Sequence, residues 1–118
     1  MNKQEQIAEI LTITNPGENL SNVLKLSFGS YLEEIPGGPE AFDKALTNNY
    51  AFLEKRMKAA YELFYSAEEV DAMHSYYTSE AGRSVAKKST MVGTALHQVG
   101  EEWGKAIAND VTTILDIK

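Results

Sequence analysis

The fold of this chain is decided in residues 61–82, YELFYSAEEVDAMHSYYTSEAG, where the pattern predicts the end of one helix and the start of two more. Ser66 and Glu69 have the spacing of a capping box, in which each side chain accepts a hydrogen bond from the backbone N–H of the other. Ser79 offers a second N-cap, and Glu80 places a negative charge in the first turn that follows. These signals predict a short helix between two others.

Outward from this corner, apolar residues recur with helical spacing in both directions. Upstream, over residues 40–65, two interleaved seven-residue series predict a long helix: Leu46, Leu53 and Ala60, and Tyr50, Met57 and Phe64. Downstream, over residues 80–115, a second long helix carries an apolar stripe: Val85, Val92, Leu96, Val99, Trp103, Ile107, Val111 and Ile114. Because such seams are typical of helices packed lengthwise, we expect these two helices to form the core, with shorter helices covering them.

The N-terminal third adds two shorter helices. Residues 3–13 carry apolar side chains at helical spacing, and Pro16 ends that segment because proline lacks a backbone donor. Asn15 and Pro16 also suit the cap and first position of the next helix. Residues 36–39, PGGP, are too few for a linker and predict a turn. The prediction is an all-α, single-domain bundle of about five helices over residues 1–118, the third and fifth being long.

Composition and charge exclude several classes of function. The chain has 118 residues, a net charge of −6 and no cysteine, so structural disulfides and thiol chemistry are excluded. An acidic chain is repelled by nucleic acid phosphates, and no run of 18 apolar residues predicts a membrane span. The compartment stays open between two interpretations: cytoplasmic as the sequence is written, or exported or periplasmic if it is a trimmed mature form.

The corner itself resembles a bacterial family, the domain of unknown function 2059. The shared pattern is an aromatic helix end, a capped acidic start, two aromatics, a serine and a glycine. Tyr76, Tyr77, Ser79 and Gly82 match this pattern, and Glu80 stands where proline is usual. The resemblance implies a small helical fold, often in exported proteins, and supplies no activity, cofactor or catalytic residue.

No constellation of residues predicts a catalytic, cofactor-binding or metal site. Two carboxylate–histidine pairs share helix faces, Asp71 with His74 and His97 with Glu101, but a di-metal bundle site needs further glutamates facing the core. We therefore predict no metal ligands and no cofactor. An enzyme without a local motif remains the least favoured alternative.

Two clusters give candidate binding surfaces. Around the corner, Phe64, Met73, Tyr76 and Tyr77 form either an apolar pocket or ordinary core. In the last helix, Gly93, Gly100, Gly104 and Ala108 fall on one smooth strip, about 100° round from the apolar stripe. Since glycines destabilise a helix, we expect this strip to admit another helix closely, either from the same chain or from a second copy.

The sequence therefore predicts a non-catalytic binding or protein-interaction module, with self-association through the last helix as one option. Its partners would be a second copy or another protein. The alternative from a different class is a carrier that holds a small apolar ligand between helices.

Overall fold

The structure is a computed structural model that describes residues 1–116, and within that part of the chain all regular structure is α-helical. Its five helices are α1 (Lys3–Thr14), α2 (Pro16–Glu33), α3 (Gly38–Phe64), α4 (Ala67–Thr78) and α5 (Glu80–Ile114). The predicted all-α bundle of about five helices is confirmed, and α3 and α5 are the longest of them.

The helix starts follow from local capping. At α4, Ser66 Oγ accepts from the Glu69 N–H at 3.1 Å and the Ser66 N–H donates to Glu69 Oε1 at 2.9 Å, which confirms the predicted capping box. At α5, Ser79 Oγ accepts from the Gly82 N–H at 3.0 Å. A third box at α1, between Asn2 and Glu5, escaped the sequence reasoning although its spacing is the same.

The α1–α2 junction is a single residue. Asn15 has φ 44°, a left-handed conformation that asparagine tolerates better than most residues. Its backbone N–H closes α1 on the Leu11 carbonyl at 2.9 Å, and Pro16 begins α2 directly afterwards. The Asn15 side chain makes no backbone cap; its Nδ2 donates to Glu18 Oε2 at 3.0 Å instead.

The core lies at α1 and α4, so the expectation that α3 and α5 form the core is wrong. The buried cluster consists of Ile7, Ile10 and Leu11 of α1 with Val70 of α4. α1 packs against α3, α4 and α5, which surround it, whereas α3 packs on α1 and α2. Met57, Tyr61, Met73 and Tyr77 are partly buried against the cluster. The two long helices exceed the length that α1 and α4 can cover, so much of their apolar surface stays exposed.

The molecule is correspondingly extended. Its dimensions are 60 × 39 × 27 Å and its radius of gyration is 18.7 Å. A compact domain of this length has a radius of gyration of about 13.5 Å. The excess arises because α5 continues beyond the other helices, and because α2 and α3 form an antiparallel arm that packs on α1 and α5 but adds to the length of the molecule.

Candidate interaction surface

The predicted apolar stripe of α5 is exposed along its whole length. We call this surface the α5 apolar face; it comprises Val85, Val92, Leu96, Val99, Trp103, Ile107, Val111 and Ile114. The exposed fraction of these side chains runs from 42% at Ile107 to 80% at Ile114. Monomeric soluble proteins rarely expose a continuous apolar patch of this extent unless it binds something.

A different side of α5 packs against the rest of the chain. Gly82 lies so close to the end of α4 that a Cβ there would overlap the Tyr76 carbonyl group. Ala86 is buried, and a Cβ on Gly93 would meet the Asn19 side chain of α2. The first half of α5 is therefore held by small residues that allow close approach of neighbouring helices.

The predicted smooth strip lies partly against the rest of the chain and partly in solvent. Its first member, Gly93, faces α2 of the same chain, as described above. Gly100 and Gly104 have no atom within 4 Å of the position that a Cβ would take, and Ala108 is exposed. Only the start of the strip is thus used within the chain.

The second half of α5 has no support from the described residues. Every residue from 98 to 114 is exposed, a helical length of about 25 Å. Isolated helices of this size are marginal in water, and Gly100 and Gly104 weaken this one further. A helix so placed gains stability chiefly when another surface covers its apolar side.

Charge is distributed unevenly along α5. Residues 80–97 carry three basic side chains and one acidic: Arg83, Lys87, Lys88 and Glu80. Residues 98–114 carry three acidic side chains and one basic: Glu101, Glu102, Asp110 and Lys105. Asp110 falls on the α5 apolar face, seven residues after Trp103, and forms no ion pair with any of residues 1–116.

One of the two predicted carboxylate–histidine pairs forms, and in the other each residue contacts a different partner. His97 Nε2 lies 3.2 Å from Glu101 Oε1, so this pair does share a helix face. Asp71 instead accepts from Gln6 Nε2 of α1 at 2.9 Å, and His74 Nε2 lies 3.5 Å from Glu9 Oε1. Both pairs thus serve contacts within or between helices, and no group of three or more metal-ligating side chains forms among residues 1–116.

The aromatic corner is split between the core and the surface. Met73 and Tyr77 pack on the buried cluster, whereas Phe64 is 77% exposed and Tyr76 is also exposed. Tyr61 lies among these side chains, and its partial burial, with Tyr65 and Tyr77 nearby, raises the pKa of its phenol. Of the four residues predicted as a pocket, two therefore lie against the core and two are exposed.

An open groove of about 590 Å³ between α2 and α3 escaped the sequence reasoning. Its walls include Leu24, Leu46, Tyr50 and Phe52, most of which are exposed. The apolar periodicity of α3 is the available signal, but the same periodicity also predicts ordinary core. The groove is shallow and lies away from the α5 apolar face, and it brings together no titratable cluster.

The comparisons with known proteins concern the second half of the chain. The model of a family described as "Uncharacterized protein conserved in bacteria (DUF2059)" matches residues 52–110, which is half of the sequence. The match covers the helical corner and most of the α5 apolar face. No curated protein and no solved structure matches the chain. Within residues 1–116, each helix is too short or too polar to traverse a lipid bilayer.

Proposed function

The chain belongs to the DUF2059 family of uncharacterised bacterial proteins, and we propose that it is a non-catalytic protein-interaction module that binds a partner helix on the α5 apolar face. The observation that carries this proposal is the exposure of all eight side chains of that face, in a helix whose second half is exposed at every residue from 98 to 114.

The shape of the face favours a helix as the ligand. The face is one side of a single uninterrupted helix, so it offers a long, narrow stripe rather than an enclosed cavity. Amphipathic helices recognise such stripes through apolar side chains spaced three and four residues apart. An apolar small molecule would need a concave site to bury most of its surface, which a single helix face does not provide.

Site-specific photo-crosslinking in the bacterial cell tests this proposal. A photoreactive amino acid replaces Val99 on the α5 apolar face, and the matched control replaces Glu101, which faces the opposite side of the helix. We expect a discrete protein adduct from position 99 and none from position 101. Mass spectrometry of the crosslinked peptides should place the partner's end of the crosslink on a helix.

A pair of substitutions checks that the contact depends on apolar burial. Leu96→Glu places a charge on the face, and Gln98→Glu places the same charge on the far side two residues away. The adduct should be lost with Leu96→Glu and kept with Gln98→Glu. Absence of any protein adduct from position 99, or equal loss with both substitutions, would contradict the proposed function.

A further inference from the structure

We propose that the partner is a second copy of this chain, bound with the two α5 helices antiparallel and the twofold axis between Val99 and Gly100. This inference rests on the proposed function and specifies its partner. Twofold pairing is the commonest form of self-association, and it requires a surface that is complementary to itself. The α5 apolar face meets that requirement in the register set by this axis.

The spacing of the apolar side chains defines the register. In an antiparallel twofold pair, residues at equal distances on either side of the axis lie opposite each other. With the axis between Val99 and Gly100, Val85 lies opposite Ile114, Val92 opposite Ile107, and Leu96 opposite Trp103. The indole of Trp103 then meets a smaller side chain, and Val99 meets Gly100, which has open space around its Cα.

Charge favours the antiparallel direction. The basic first half of one α5 then lies beside the acidic second half of the other, which reduces like-charge repulsion along the pair. Lys88 comes opposite position 111, next to Asp110 of the second copy. Neither Lys88 nor Asp110 has an ion-pair partner among residues 1–116 of its own chain. In a parallel pair, the two basic halves would lie beside each other, and so would the two acidic halves.

One other antiparallel register also pairs many residues of the α5 apolar face with one another. An axis near Lys105 would pair Leu96 with Ile114, Val99 with Val111, and Trp103 with Ile107. That arrangement leaves Val85 and Val92 uncovered and brings two acidic halves together. Each register pairs six of the eight face residues with one another, but the axis between Val99 and Gly100 also places the other two, Val99 and Val111, against α5 of the second copy.

The exposed area of the α5 apolar face is sufficient for a dimer interface. Eight large apolar side chains exposed by 42 to 80% offer on the order of 800 Å² per copy, which is what each partner contributes to a standard protein–protein interface. Because α1, α2 and α4 pack on a different side of α5, the face is open along its length in the monomer.

Engineered cysteines test the register, since the chain has none of its own. Val99→Cys should form a disulfide-linked dimer on mild oxidation. Val92→Cys and Ile107→Cys should each stay unlinked alone but form a mixed dimer when combined. In the proposed pair each such residue is about 22 Å along the axis from its own copy, whereas a disulfide needs Cα atoms within about 7 Å. Glu101→Cys, on the far side, is the control that should stay unlinked.

Charge exchange tests the ionic contact by light scattering over a range of protein concentrations. Lys88→Glu and Asp110→Lys should each weaken dimerisation roughly tenfold, because each change introduces two repulsive contacts per dimer. The doubly substituted chain should recover most of the lost affinity. Circular dichroism checks that every variant keeps the helical fold, which these exposed positions should not disturb.

The outcomes separate this inference from the proposed function. Self-crosslinking of Val92→Cys and Ile107→Cys individually would indicate a parallel pair and overturn the inference. A protein that remains monomeric at all concentrations also overturns it. In either case an adduct from position 99 to a helix would leave the interaction function standing, whereas the absence of any adduct would remove both.

Discussion

Two glycines of α5 occupy opposite environments and should respond oppositely to alanine. Gly82 lies against the backbone of α4, so Gly82→Ala should lower the free energy of unfolding by about 1–3 kcal/mol through steric overlap. Gly100 has no neighbour within 4 Å of the position that a Cβ would take, so Gly100→Ala should favour helix over coil in residues 98–114 by about 0.5–1 kcal/mol. In the monomeric Leu96→Glu background, urea denaturation measures the first effect and the helix content by circular dichroism measures the second. A Gly82→Ala variant as stable as its parent, or a Gly100→Ala variant with less helix than its parent, would contradict the described packing.

The capping box of α4 should give the stability a defined pH dependence. The Ser66 N–H and hydroxyl hold the pKa of the Glu69 carboxyl below its usual value. A lowered pKa in the folded state means that the contribution is complete above the unfolded value, near 4.5, and is lost as the pH falls through the folded value. Glu69→Gln keeps a cap but cannot titrate, so its urea midpoint should fall less with acid than that of the parent. Parallel curves for the two proteins would argue against the ionised cap.

The residues at helix ends were the most predictable part of the fold. Ser66 with Glu69, Ser79, and the Asn15–Pro16 junction act within a few residues of sequence, so their chemistry can be identified without knowing the tertiary arrangement. Gly82 also lies at a helix end, but its close approach to the Tyr76 carbonyl becomes visible only in the structure. The Asn2–Glu5 capping box carries the same local signal, because its asparagine and glutamate are also three residues apart.

At the level of whole helices, periodicity identified the apolar side of α5 but not what covers it. The 3.6-residue repeat is the same whether the cover comes from the same chain or another. The core at Ile10 and Val70 depends on three helices surrounding α1, which is a tertiary arrangement that no single segment encodes. For the same reason, sequence periodicity does not show whether apolar side chains line an open groove, as between α2 and α3, or pack in a core.

The second half of α5 should be ordered only while its apolar face is covered. Residues 98–114 are all exposed, and a short helix with two glycines is marginal in water. Hydrogen exchange should therefore show protected amides there in the associated protein and rapid exchange in the Leu96→Glu variant. Gln98→Glu should keep the protection of the parent. Strong protection in a monomeric Leu96→Glu variant would mean that the helix is stable without a partner.

At the scale of the whole molecule, burial is concentrated in a small region. One cluster of four buried apolar side chains holds α1 and α4 together, while α5 and the α2–α3 arm extend away from it. Ile10, which is fully buried, should be the most sensitive position. Ile10→Ala should lower the free energy of unfolding by about 2–5 kcal/mol, measured by urea denaturation. Leu63→Ala, at a side chain 76% exposed, is the control and should change it by less than about 0.5 kcal/mol.

The extended shape itself is measurable by small-angle X-ray scattering. If α5 points away from the body of the protein, a monomeric Leu96→Glu variant should have a radius of gyration closer to the 18.7 Å of the structure than to that of a compact chain, whether or not residues 98–114 stay helical. If α5 instead bent back to cover the α2–α3 groove, the value would approach the roughly 13.5 Å of a compact chain of this length. The distinction bears on function, because a folded-back α5 would bury Trp103 within its own chain and leave no face for a partner.

The fluorescence emission of Trp103, the only tryptophan, gives an independent check. In the monomer it should be that of a solvent-exposed indole, accessible to acrylamide, and association should shift it to shorter wavelength. A compact monomer with a shielded indole would show that the chain covers the α5 apolar face itself and leaves it closed to a partner.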